Sequence, residues 1–166
     1  VILLLLLTLS FQDTFAKDPL QGKAFSSCEK ISKHTDLKYT LEYMPDNKEF
    51  EAELYVEKDK RPCEGFPIFA IGRVWNYETN QNELITTLES VRVIILEPKV
   101  VKMFNRNVIC GVKNWKVDEV VSCEGKSLLD FEDDIGHRTI HKFKHQKNKL
   151  IITDDDGESF ELVEEN

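Results

Sequence analysis

The chain has 166 residues, of which 41% are hydrophobic and 31% charged, with a formal net charge of −8 and a pI of about 5.1. Those values describe one ordinary globular domain and exclude collagen-like, coiled-coil and low-complexity chains. An acidic balance without any basic block also excludes nucleic acid as a partner, because such binding rests on Lys and Arg neutralising phosphates.

The first element is a leader. Val1 to Leu9 is a nearly unbroken apolar run, after which polarity rises through Ser10, Gln12 and Asp13 to Thr14-Phe15-Ala16. This is the apolar region and cleavage site of a secretory signal peptide, with the small residues Thr14 and Ala16 at −3 and −1. Without an initiating Met and a basic flank, residues 1–16 read as an incomplete leader, and residues 17–166 as a single secreted domain. The apolar run is half the roughly 18 to 20 residues needed to cross a bilayer, so no membrane span is expected.

Cys28, Cys63, Cys110 and Cys123 all lie after the leader, and an even count in an oxidising compartment reads as two disulfides. Antiparallel strands pair residues whose numbers sum to a constant. Segments 107–110 and 120–123 flank a turn at 115–118, which sets Cys110 opposite Cys123. Cys28 and Cys63 lie at nearly equal distances on either side of Pro45-Asp46-Asn47. The expected pairs are Cys28–Cys63 and Cys110–Cys123. Paired C-x-x-C spacing is absent, so no metal site is expected from the cysteines.

Leu37, Tyr39, Leu41 and Tyr43 alternate with Lys38, Thr40 and Glu42, the period of a strand with one buried face. Pro45-Asp46-Asn47 supplies a turn. Phe50, Ala52, Leu54 and Val56 then alternate with Glu49, Glu51, Glu53 and Tyr55, a second strand pairing back on the first. Phe66 to Tyr77 follows as an apolar strand with a bend or bulge expected at Gly72, and 78–82 is a polar loop. Leu84, Ile85, Leu88 and Val91 fit helical spacing whereas Val91, Val93 and Ile95 fit a strand, so a strand of uncertain start is expected up to Pro98. Segments 100–104 and 107–113 read as short strands, 117–123 as the closing strand of a disulfide hairpin, and 127–134 as the single short helix. Segments 139–143, 150–153 and 159–163 complete the strands.

Eight to ten short, evenly spaced strands with no room for helical crossovers imply an antiparallel all-β domain. It is an up-and-down barrel or a two-sheet sandwich, and short meander-like connections favour the barrel.

Local motifs add little chemistry. Gly125-Lys126-Ser127 lacks the earlier glycine of a phosphate-binding loop, which would fall at Val120. Asp154, Asp156 and Gly157 lack the first and last oxygen ligands of a calcium loop, where Ile152 and Val163 stand. His137, His141 and His145 recur every fourth residue, but on a strand such residues are about 13 Å apart, too far to share one ion. Beside Lys142 and Lys144 they read instead as a basic stripe that titrates near neutrality. Neither a G-x-S-x-G elbow nor an H-E-x-x-H pair is present. No catalytic residue, metal or cofactor is therefore expected.

Aromatic residues concentrate in the strands. In a closed barrel the inward ones line a cavity, and Tyr39, Tyr43, Phe69 and Trp75 are the expected ligand-binding wall. Size, leader, two disulfides and strand succession resemble secreted lipocalin-type ligand carriers. The G-x-W of their first strand is absent, since Gly72-Arg73-Val74-Trp75 has another spacing and comes later. The expected function is a secreted, monomeric protein carrying a small, partly apolar ligand. The alternative is a secreted interaction or inhibitor protein that engages an extracellular protein through its loops, with Trp115 as an exposed anchor on a pinned turn.

Overall fold

The computed structural model describes residues 18–123, 127–128, 131–132 and 135–165, and the expected leader lies outside them. The elements in chain order are β1 (Ala24–Lys30), β2 (Thr35–Tyr43), β3 (Lys48–Glu57), β4 (Pro67–Asn80), β5 (Glu83–Ile95), helix α1 (Pro98–Asn107), a 3-10 turn (Ile109–Gly111), β6 (Val120–Ser122), β7 (Ser127–Leu128), β8 (Phe131–Glu132), β9 (Arg138–Gln146), β10 (Lys149–Thr153) and β11 (Ser159–Glu164). Strands run in the order β4-β3-β2-β1-β11-β10-β9-β5, and β4 pairs with β5 to close the ring. The molecule is thus an eight-stranded antiparallel barrel, which decides between barrel and sandwich. β6 adds to β5 outside the ring, and β7 and β8 form a separate ribbon.

The hairpin of β2 and β3 turns through Asn47, whose φ of 59° is left-handed, a conformation Asn tolerates better than most residues. Its register pairs Tyr43 with Glu49, Leu41 with Glu51 and Tyr39 with Glu53. Directly opposed residues share a face of the sheet. Because Leu41 and Tyr43 are buried core residues, the glutamates of β3 also point inward, and Phe50 stands outside, 37% exposed. The apolar face of β3 is the outer one.

The mixed spacing in 84–95 comes from a bulge, not a helix. Trp75 pairs with Leu88 and Val74 with Ser90, leaving Glu89 as the extra residue on β5. An extra residue shifts the two-residue period by one. Leu84, Thr86 and Leu88 are therefore buried before it, and Val91, Val93 and Ile95 after it. Gly72, where the bend was expected, is in regular register between Ala52 and Arg92.

Segment 100–104 is helical where a strand was expected. Pro98 occupies the first turn of α1, where its missing N–H costs no hydrogen bond. Val100 and Phe104, four apart, are the buried face, and the N–H of Val108 returns to the carbonyl of Phe104 to end the helix. Segment 107–113 holds the end of α1 and the 3-10 turn Ile109–Gly111 rather than a strand. The expected helix over 127–134 is replaced by β7 and β8 in its described part, and its remaining residues lie outside the described ones. β1 was not anticipated.

Both disulfides pair as expected, Cys28–Cys63 and Cys110–Cys123. The hairpin argument for the second is corrected, because β6 pairs with β5 and Cys110 sits in the 3-10 turn. That bridge fastens the α1 connection to the chain after β6. Cys28–Cys63 ties β1 to the loop between β3 and β4, and Asp36, 3% exposed, accepts a hydrogen bond from the N–H of Cys63 at 3.2 Å.

Two apolar clusters fill the interior. One joins Phe69, Ile71, Val91, Val93 and Ile95 to α1 and Trp115, and the other gathers Leu20, Phe25, Leu41, Tyr43, Tyr77, Leu150 and Leu162. A layer of polar side chains lies between them.

Candidate functional site

The polar layer follows from the β2–β3–β4 registers. Glu49 stands between Tyr43 and Trp75, Glu51 between Leu41 and Arg73, and Glu53 between Tyr39 and Ile71. Arg73 on β4 is 5% exposed, and its Nη1 donates to Glu51 Oε1 at 2.8 Å and to Glu53 Oε1 at 2.7 Å. The indole N–H of Trp75 donates to Glu51 Oε2 at 2.8 Å, and the Tyr55 hydroxyl to Glu53 Oε2 at 2.9 Å. Buried charge is tolerable when paired and hydrogen-bonded, and both conditions hold for Glu51 and Glu53.

Glu49 differs. It is 5% exposed, and its Oε2 has no hydrogen-bond partner among the described residues. Burial and the charge of Glu51 push its carboxyl up to about 8, with the nearby Tyr43 hydroxyl pulling it down only in part. Burial also raises Glu51, against the pull of Arg73. Tyr39 is held well above the usual phenol range by burial and then by the glutamates.

These side chains line an inner chamber of about 100 Å³, bounded by Tyr39, Glu49, Glu51, Trp75, His141 and Phe160, with Thr86 and Thr139 among the remaining walls. The two threonine hydroxyls bond each other at 2.6 Å. Nδ1 of His141 is buried and unpartnered among the described residues. An outer vestibule of about 270 Å³, lined by Ser27, Glu29, Leu37, Tyr39 and Phe160, shares two of its walls with the chamber. It sits where β1 and β11 diverge beyond their pairing at Phe25–Glu164 and Ser26–Val163. Tyr39 and Phe160 meet edge to face, with centroids 6.1 Å apart, between the two spaces.

Of the expected wall residues, Tyr39 and Trp75 line the chamber. Tyr43 is fully buried in the lower cluster against Phe25 and Tyr77, and Phe69 stacks on Tyr55 at 4.1 Å in the upper one. Neither borders the chamber. Trp115 is 2% exposed, so it is not the surface anchor expected from its place near a disulfide. Its ring packs on Phe104, its indole N–H donates to the carbonyl of Ile109, and its backbone N–H to Asn105 Oδ1. The histidine stripe is also divided. Strand alternation turns His141 and His145 inward while Lys142 and Lys144 are exposed outside. His145 lies on Phe25 and 3.3 Å from Glu164.

Sequence reasoning missed Glu49, Glu51 and Arg73. The available signal was parity, since odd residues of β2 are apolar and a same-parity hairpin must bring the odd glutamates of β3 to the same face. Chemically, the chamber presents the carboxyls of Glu49 and Glu51, the latter paired with Arg73, beside the rings of Tyr39, Trp75 and Phe160, an arrangement suited to an organic cation with an apolar body. Cys28, Asp36 and Cys63 also converge within 4.8 Å, but both sulfurs are joined in the disulfide and give a metal no thiolate. No protein-family model matches the chain, and no curated protein matches it.

Proposed function

We propose that this protein is a secreted binding protein that holds a small, partly apolar organic cation, such as a protonated amine, within its barrel. The observation that carries this reading is Glu49, a buried carboxyl with an oxygen unpartnered among the described residues, at the wall of a chamber that also presents the rings of Tyr39, Trp75 and Phe160. An ammonium group would supply the missing donors and the missing positive charge, while Tyr39, Trp75 and Phe160 would receive the apolar part. Two disulfides fit the extracellular compartment expected from the leader. The reading is of a binder and not of an enzyme. The alternative, a loop-mediated interaction protein, loses its named anchor because Trp115 is internal.

Native mass spectrometry of protein purified from its natural source tests this reading. A small adduct that is lost on denaturation and carries a basic nitrogen is the expected result. Bare protein that takes up neither phenethylamine nor other arylalkylamines on soaking would overturn it.

A further inference from the structure

Glu49 meets its neighbours from several elements. Tyr43 and Tyr39 face it from β2, Glu51 lies two residues along its own strand, Trp75 and Tyr77 stand on β4, and His141 borders the same chamber from β9. Arg73 is turned to Glu51 and Glu53. Burial and the negative charge of Glu51 both act against ionisation of Glu49, and the Tyr43 hydroxyl offsets them only in part. A buried carboxyl so placed takes up a proton rather than remain charged.

We propose that the empty chamber keeps a proton on Glu49 and releases it when an organic cation enters, so that uptake exchanges one proton for one ligand charge. This rests on the reading that the ligand is a cation. In the step, the O–H bond of the Glu49 carboxyl breaks and the proton passes to water. The carboxylate so formed accepts hydrogen bonds from the ligand's ammonium group. No covalent bond to the ligand forms, nothing is oxidised or reduced, and the charge of the chamber is the same before and after.

The exchange makes affinity depend on pH in a definite direction. Below the titration of Glu49 the proton competes with the ligand, and above it the competition ends. With the carboxyl at about 8, affinity for a permanently charged probe is expected to rise about 50-fold between pH 6 and pH 8 and then level off. Acidification discharges the ligand.

Two measurements on the intact protein test this. In protein labelled with 13C at the glutamate carboxyls, NMR of the empty barrel should show one carboxyl that titrates near pH 8 and is missing from Glu49→Gln. If every glutamate carboxyl has titrated by pH 6, the proposal is overturned whatever the ligand. Calorimetry with phenethylamine at pH 7, in phosphate and in Tris, then counts protons from the difference in apparent heat. Release of about 0.9 proton per ligand is expected for a carboxyl near pH 8. The same titration of His141→Gln should keep that release, and Glu49→Gln should lose it while remaining folded, with a thermal midpoint at pH 7 no lower than that of the parent protein. Amine binding without proton release overturns the exchange and leaves the cation reading standing. If the raised carboxyl is present but no amine binds, both fall.

Discussion

Glu49 and Arg73 hold opposite positions in the polar layer, and each has a measurable consequence. The carboxyl of Glu49 is raised in the folded state, to about 8 from 4.5, so the folded protein binds a proton that the unfolded chain has already lost. Stability from this group is complete below pH 4.5 and is lost as pH rises toward 8. Glu51 is raised as well and adds in the same direction. Glu89, Glu164 and Glu165 are lowered by their hydrogen bonds, to Lys48, Lys23 and Ser26 first, so their contribution is lost on acidification, below this window. The empty protein should therefore lose stability between pH 5 and pH 8, by on the order of a few kcal/mol. Urea unfolding across that range should show the slope, and Glu49→Gln should flatten it. Arg73 acts in the opposite sense. Arg73→Met leaves the buried carboxyls of Glu51 and Glu53 without their guanidinium and should destabilise the barrel by about 3 to 5 kcal/mol at pH 7. A loss under 1 kcal/mol in the urea midpoint would contradict the role given to that pair of ion contacts.

Among the elements, β3 and β5 show what the sequence revealed and what it hid. Alternation located β2, β3, β9, β10 and β11, because half-buried strands write their period directly into the chain. It did not reveal which face of β3 is inside. Both faces of that strand are regular, and the decision lies in the turn, where the pairing of Tyr43 with Glu49 fixes parity for the whole hairpin. The bulge at Glu89 blurred the start of β5, though not its existence, by splicing two strand phases into a pattern resembling a helix. In α1, Pro98 was read as the end of a strand when it also begins a helix, and Val100 with Phe104 was the signal passed over. Cysteine pairing was legible although the hairpin invoked for Cys110–Cys123 does not exist, since proximity in the chain was enough to favour that pair. The internal place of Trp115 was not legible, because its burial depends on α1 packing over it. It should behave as a core residue. Trp115→Ala is expected to lower stability by about 3 to 5 kcal/mol in urea unfolding and to leave amine affinity at the folded protein unchanged. Loss of affinity in a variant that remains folded would place the binding surface at α1.

Across the whole molecule, the barrel is a scaffold whose core is interrupted by a charged layer. The upper cluster braces α1 and the Cys110–Cys123 bridge, and the lower cluster closes the other end with Leu20, Phe25, Tyr43 and Tyr77. The chamber lies at the acidic layer between them, and the divergence of β1 from β11 leaves a vestibule outside Tyr39 and Phe160. On the proposed reading, rings on the walls would accept many apolar ligands, whereas Glu49 would select for positive charge. Selection by charge is thus the property that, on this proposal, would distinguish the barrel from a greasy pocket of equal size. Calorimetric titration of the intact protein at pH 8 with phenethylamine and with 2-phenylethanol, which differ in charge far more than in shape, measures it directly. The amine should bind at least about 10-fold more tightly than the alcohol, a difference of about 1.4 kcal/mol. Equal affinities, or tighter binding of the alcohol, would contradict an interior built to hold a cation.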